Sequence, residues 1–289
     1  IFDEVLKNSP PLQLVGLCRN ALNQVELDSA DKHGVLVVNT PGRNAQAVAE
    51  LTIGMMFALS RRFHQAHTYV KNKLWVDPMG PYTTLRGTEL RGKTVGLVGF
   101  GSIGREVGRL ARSLGLRVLV NDPKVTPPAY AQTTALDDLL TNSDFVSLHI
   151  PENSVTEPII NKSSLGLMKP TAFLINTASS SLIQEDALLA ALNAKQLAGA
   201  ALDVFQTHPV ISTSPLLSQD NILFTPHLGG ATEETINRYS KSISRDLRLF
   251  LQGKIPRNLV NPDPSFHETF PHKGSDPDGV NSPPPGSSL

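Results

Sequence analysis

A single cysteine, Cys18, is all that the 289 residues contain, so no internal disulfide framework can staple this chain. Metal-binding spacing is equally scarce. The eight histidines are scattered and no HxxxH or CxxC pair occurs, so no metal centre is expected. No apolar run reaches the roughly 20 residues that cross a bilayer. Excess charge of either sign is missing too. Lys plus Arg and Asp plus Glu number 26 each, which removes the electrostatic case for nucleic acid or an acidic membrane surface. The opening IFDEVLKNSPPLQ has no signal-peptide layout. These absences lead to the expectation of a soluble, cytoplasmic protein without membrane or nucleic-acid partners.

What is present is apolar patterning. Hydrophobic residues make up 40% of the chain, enough for one large or two ordinary domains. QLVGLC (13–18) and VLVVN (35–39) read as buried strands. A long helix is expected next, capped by Asn44 and running through AVAELTIGMMFALSRRF, apolar nearly all round and so packed on both sides. From Lys93 onward six strand-like runs follow: KTVGLVGF, RVLVND, DFVSLHI, AFLINTA, AGAALDV and NILFTPH. Helical segments separate most of them: SIGREVGRLARSLG, LDDLL, NKSSLGLM and QEDALLAALNAK. That alternation predicts an α/β fold, a doubly wound parallel sheet covered on both faces. A last helix is expected from about Glu233 to Gln252. Residues 263–289 are rich in Pro, Ser and Gly without apolar period and read as a disordered tail.

The strongest local signal is TVGLVGFGSIGREVGRLARSLGLRVLVNDP. Gly99, Gly101 and Gly104 stand in GxGxxG spacing between a strand and a helix, and a second strand ends in Asp122, 18 residues after Gly104. Gly99 permits a tight turn. Gly101 lets the backbone approach a pyrophosphate, and Gly104 lets helix and strand pack closely. The helix start, with Ser102 and Ile103, offers unpaired N–H groups and a partial positive charge to phosphates. Asp122 suits the two ribose hydroxyls and would repel a 2′-phosphate. NAD is therefore expected in preference to NADP, although Lys124 softens the preference.

The longer pattern resembles the D-isomer-specific 2-hydroxyacid dehydrogenase family, in its D-3-phosphoglycerate dehydrogenase-like branch. The resemblance is carried by NTPGRNAQAVAELTIG (39–54), LRGKTVGLVGFGSIGREV (90–107), SDFVSLHIPENSVTEPIIN (143–161), LMKPTAFLINTA (167–178), GAALDVF (199–205) and TPHLGGAT (225–232). It implies a Rossmann cofactor domain over 67–228 and a discontinuous, flavodoxin-like substrate domain over 1–66 and 229–262. Family members usually carry further elements before the position of Ile1, so the substrate domain is expected to be incomplete. A homodimer acting on a small 2-hydroxy or 2-keto acid is also implied.

The resemblance assigns roles to positions. His227 matches the histidine that gives or takes the hydroxyl proton, in chemistry that suits neutral pH. His208 stands where the family places a glutamate behind that histidine. A carboxylate would stabilise imidazolium, and a charged second imidazole cannot. Ser179 stands where the family places the arginine that grips the substrate, and a serine cannot form its bidentate, charge-assisted pair. Arg19, in the family's substrate loop, is the candidate to compensate, with Arg43 a weaker one. Pro151, Thr177, Ala178, Asp203 and Gly229 match positions on the cofactor side. Glu152 and Asn153 replace the Leu and Thr that often follow the HxP turn. Two readings follow: a dehydrogenase with altered or impaired catalysis, or a non-catalytic NAD-binding sensor or scaffold.

Overall fold

The computed structural model of the chain describes residues 1–151 and 158–261. Two compact units result. One joins residues 1–43 to the segment from Ile236 onward, and the other is Asn44–Thr235.

The first unit holds a two-stranded parallel sheet, β1 (Leu14–Gly16) and β2 (Leu36–Val38). Leu6, Val15, Leu17, Val25, Ala30 and Val37 form its small core. The side chain of Asn261 ties the far end of the segment to this sheet. Its Oδ1 accepts the Val37 N–H at 2.6 Å, and its Nδ2 donates to the Val35 carbonyl at 2.9 Å. Most of the helix Glu233–Leu251 belongs to this unit.

The second unit is built on seven parallel strands: β3 (Thr94–Val98), β4 (Arg117–Asn121), β5 (Ala131–Thr133), β6 (Phe145–Leu148), β7 (Phe173–Asn176), β8 (Gly199–Leu202) and β9 (Ile222–Phe224). Their order across the sheet is β5-β4-β3-β6-β7-β8-β9. All six runs read from the sequence are strands. β5 has no strand signal in the sequence, because its residues AQT make no apolar run and it pairs only with β4 at the sheet edge. Along each strand, neighbours turn to opposite faces. Val146, Leu174 and Ala200 join one core cluster, and Phe145, Ile175 and Ala201 join the other. Burial of both faces explains why these strands read as continuous apolar runs rather than alternating ones.

The resemblance puts the helix Ala45–Ser60 in the substrate domain, with boundaries at 66/67 and 228/229. The two compact units of the structure divide at Arg43/Asn44 and Thr235/Ile236. The reason is packing: Ala49, Ile53, Met55 and Met56 of this helix share a core cluster with Val95, Leu97, Phe100 and Val107. Asn44 does occupy the position before that helix, but its side chain makes no capping hydrogen bond. Helices at Asp3–Lys7, Leu27–Lys32, Phe63–Lys71 and Gly80–Thr84 were not anticipated. The expected tail lies outside the described residues. Among those described, no helix is long and apolar enough to cross a membrane.

Candidate functional site

Because every strand of the larger sheet is parallel, all their carboxyl ends open on one edge. The order reverses between β3 and β6, since the chain builds outward from β3 to β5 and then returns to the other side. Such a switch point leaves a crevice beyond the strand ends, where α/β sheets bind ligands.

The glycine loop lies there. Gly99 follows β3 with φ +96°, a left-handed conformation that side chains disfavour, and a Cβ on it would stand 2.7 Å from the His149 carbonyl oxygen at the end of β6. On Gly104 a Cβ would stand 2.3 Å from the Gly99 carbonyl oxygen, so the helix Ser102–Ser113 can approach the strand only because this residue is glycine. Gly101 differs from both. A Cβ there meets nothing within 4 Å, and its φ of −72° is open to any residue. The protein itself gives no reason for glycine at 101, whereas a pyrophosphate against the backbone would. Gly101 and Ser102 are exposed, Ile103 is half-buried against the core, and Gly104 is buried.

Asp122, just past β4, is held in place by two backbone donors. Phe100 N–H donates to its Oδ2 at 2.8 Å and Lys124 N–H to its Oδ1 at 2.8 Å. Each carboxylate oxygen keeps a second acceptor direction. Thr177, after β7, has a buried Oγ1 with no hydrogen-bond partner. An orphaned hydroxyl here is a position that a bound group could complete. The open face at Gly101, the placed carboxylate and this hydroxyl fit a dinucleotide. Pro151 is exposed, and Glu152 and Asn153 lie outside the described residues.

The segment after β9 carries His227. Asp203, nearly fully buried at 1% exposure, follows β8 and organises that segment. Its Oδ1 accepts the Thr225 hydroxyl at 2.6 Å and the Leu228 N–H at 2.7 Å, and its Oδ2 accepts the Gly229 N–H at 2.9 Å. His227 is thereby held at φ +57°, left-handed, where a residue with a side chain is strained by roughly 1–2 kcal/mol. Its ring is exposed, and its Nδ1 lies 3.2 Å from Nε2 of His208. The structure therefore brings the two histidines together.

Ser179 lies after β7 in an extended conformation, with a 3-10 turn over Ser180–Leu182. Asn176 shapes this corner: its Nδ2 donates to the Ser179 carbonyl at 2.7 Å and its Oδ1 accepts the Ala178 N–H at 3.0 Å. The hydroxyls of Ser179 and Ser181 are 3.0 Å apart. Neither Ser180 nor Ser181 is left-handed: among the described residues only Arg62, Lys73, Lys195 and His227 are non-glycine with positive φ. Arg19 and Arg43 belong to the smaller unit. The Arg43 guanidinium stacks over Tyr239 at 5.7 Å, and burial lowers its affinity for the proton, with the neighbouring charge of Arg19 acting in the same direction.

One residue of this edge was passed over in the sequence. His149 accompanies Gly99 and Gly104 at the switch point. Its Nε2 is 2.9 Å from the Ser147 hydroxyl, and its Nδ1 is buried without a partner. Burial pushes it down to about 3, so the ring is neutral. Its signal in the sequence is the HxP turn itself, His149 to Pro151.

Comparison with known proteins accords with this geometry. Residues 53–229 match the family described as D-isomer specific 2-hydroxyacid dehydrogenase, NAD binding domain. The chain is 37% identical to a glyoxylate reductase of Thermofilum pendens, over 89% of this chain and 77% of that protein. It is 36% identical to the D-3-phosphoglycerate dehydrogenase of Mycobacterium leprae over 90% of this chain, but spans only 49% of that relative. Among solved structures, the D-lactate dehydrogenase of Lactobacillus jensenii with NAD+ superposes with a TM-score of 0.81 at 26% identity, covering 90% of this chain and 83% of that one.

Proposed function

The chain belongs to the D-isomer-specific 2-hydroxyacid dehydrogenase family, and from that premise we propose that it transfers a hydride between NAD(H) and a small 2-hydroxy or 2-keto acid of the glyoxylate class, with catalysis weakened by Ser179 and His208. Similarity to a glyoxylate reductase supports the substrate class. The observation that carries the reading is the Asp203-anchored turn, which presents an exposed His227 at the carboxyl edge of the sheet.

The nicotinamide, when bound, supplies or accepts the hydride. Gly99, Gly101 and Gly104 with the N–H groups from Ser102 and Ile103 would hold its pyrophosphate. Asp122 would take the ribose hydroxyls, which favours NAD over NADP. Thr177, Ala178, Pro151 and Gly229 would border the nicotinamide half, and Asp203 has acceptor capacity left on Oδ2 for its carboxamide. His227 gives a proton to the carbonyl oxygen during reduction and takes it back during oxidation. His208 orients that ring through the Nδ1–Nε2 contact but brings no negative charge to stabilise the imidazolium. Ser179 offers the substrate's carboxylate a neutral hydroxyl where an arginine would offer two charge-assisted bonds. Arg19 is proposed for that carboxylate on the strength of the family's substrate loop. Losing contacts of roughly 1.5–3 kcal/mol each lowers turnover by orders of magnitude without abolishing the reaction.

A homodimer in the cytoplasm completes the proposal. Phe63, Val70, Trp75, Val76, Met79 and Tyr82 are each more than half exposed within one stretch of chain, and exposed apolar area of this kind is what a second copy covers.

The test is titration of NADH and NADPH by fluorescence, followed by NADH consumption with glyoxylate and larger 2-keto acids. Tighter binding of NADH with slow glyoxylate reduction is the expected result. Binding with no turnover of any 2-keto acid would leave the sensor or scaffold reading, which family membership does not favour.

A further inference from the structure

We propose that His208 and His227 form a bidentate site for a divalent transition-metal ion of the zinc class, held between His208 Nε2 and His227 Nδ1. Local sequence spacing does not show it, because these residues are 19 apart in the chain and come together only when the segments after β8 and β9 fold side by side.

The geometry is that of a chelate. The two nitrogens are 3.2 Å apart. A zinc ion about 2.05 Å from each would subtend an angle of about 103°, near the tetrahedral value. With both ring axes aimed at the ion, the ring centroids would stand about 5.0 Å apart, and they stand 5.1 Å apart at an interplanar angle of 52°. A collinear N–H···N contact over the same distance would hold them about 5.5 Å apart. The rings are thus not aligned end to end, and their separation matches that of two rings sharing one ion.

Preorganisation and access both favour the site. His227 is fixed by the three bonds of Asp203 to its turn, and the His208 ring stands edge-on to Phe205 at 6.2 Å. Both residues are exposed, so an ion enters without opening the fold. No third histidine, cysteine or carboxylate joins them among the described residues. The remaining coordination positions fall to water or to an anionic ligand, and two imidazoles alone give modest affinity that rises toward copper.

Binding needs a lone pair on each facing nitrogen. The proton of the N–H···N contact moves to the far nitrogen of its own ring, so neutral rings lose no proton overall. An imidazolium must release one, and acidification therefore weakens the site. The ion places positive charge beside His227 while leaving its Nε2 protonated. The site itself rests on none of the proposed reaction.

The experiment uses the full chain, freed of metal by chelator. Zn2+ is titrated calorimetrically at neutral pH against the parent, His208→Gln and the double variant His64→Gln with His67→Gln. The expected result is one micromolar site in the parent, unchanged in the double variant and at least tenfold weaker in His208→Gln. Stoichiometric Cu2+ should show two nitrogen couplings by electron paramagnetic resonance in the parent, a reading that stands even if a variant folds poorly. Equal affinity in His208→Gln, loss in the double variant instead, or fewer than two nitrogen couplings in the parent would each overturn the proposal.

Discussion

Asp203 Oδ2 accepts the Gly229 N–H at 2.9 Å, across from the turn that carries His227. With the two bonds to Oδ1, this makes a buried carboxylate the organiser of an exposed histidine. Asp203→Asn should therefore cost more than its similar shape suggests. The amide nitrogen would face the Gly229 N–H, donor against donor, and the two remaining bonds would lose their charge assistance. Bonds to charged groups are worth about 1.5–3 kcal/mol, so a loss of about 2–4 kcal/mol in urea unfolding is expected, together with lower turnover. An unchanged midpoint would show that the turn holds itself.

Much of this was legible because the residues concerned act locally. The glycine loop is one strand–turn–helix unit, and its three glycines have three separable reasons readable from spacing. The six apolar runs were legible because burial on both faces leaves little room for polar residues. Other features depend on partners distant in the chain. Gly96 is glycine because a Cβ there would stand 2.3 Å from Leu139 of the helix Leu136–Asn142, and nothing near position 96 signals that approach. The contact between His208 and His227 and the triple bonding of Asp203 are likewise products of two strand ends meeting. The core that receives the helix Ala45–Ser60 is hard to read for the same reason: an apolar surface on nearly every side does not say which one it joins.

Gly101 and Gly104 separate fold from ligand. Gly101→Ala adds a methyl where the protein leaves open space, at a φ that alanine accepts. Its stability should stay within about 0.5 kcal/mol of the parent, as for other substitutions clear of packing, while NADH affinity falls at least tenfold. Gly104→Ala puts a methyl 2.3 Å from a backbone oxygen, and overpacking of that kind costs about 1–3 kcal/mol or more. Thermal melts beside NADH titrations check the split. Equal destabilisation by both changes would remove the reason for assigning Gly101 to the cofactor.

Ser179 and His208 are the two departures that weaken the proposed reaction, and they can be reversed together. Ser179 is extended, and neither Ser180 nor Ser181 is left-handed, so the corner is not distorted by what replaced the family residues. Ser179→Arg with His208→Glu should raise kcat/KM for glyoxylate about 100-fold, the equivalent of about 3 kcal/mol of transition-state stabilisation. Most of the Ser179→Arg gain should appear in KM and most of the His208→Glu gain in kcat. Steady-state kinetics on both single variants and the double decide it. A double variant no faster than the parent would place the deficit elsewhere.

His149 links the cofactor edge to acid stability. Its ring is held down to about 3 by burial in the folded chain, against about 6.5 for an unperturbed histidine. Between those values the unfolded chain binds a proton that the folded chain refuses. The stability contributed by the neutral ring is therefore complete above about pH 6.5 and is lost progressively as the pH falls toward 3. From pH 6.5 to pH 5 the loss from this one group is about 2 kcal/mol. His149→Gln keeps a polar partner for the Ser147 hydroxyl but does not titrate, so its unfolding free energy should vary by about 2 kcal/mol less over that interval. Urea unfolding of both proteins at pH 7.5, 6.5 and 5 measures the difference. Parallel pH profiles would mean that the buried ring takes up its proton in the folded state as readily as in the unfolded one.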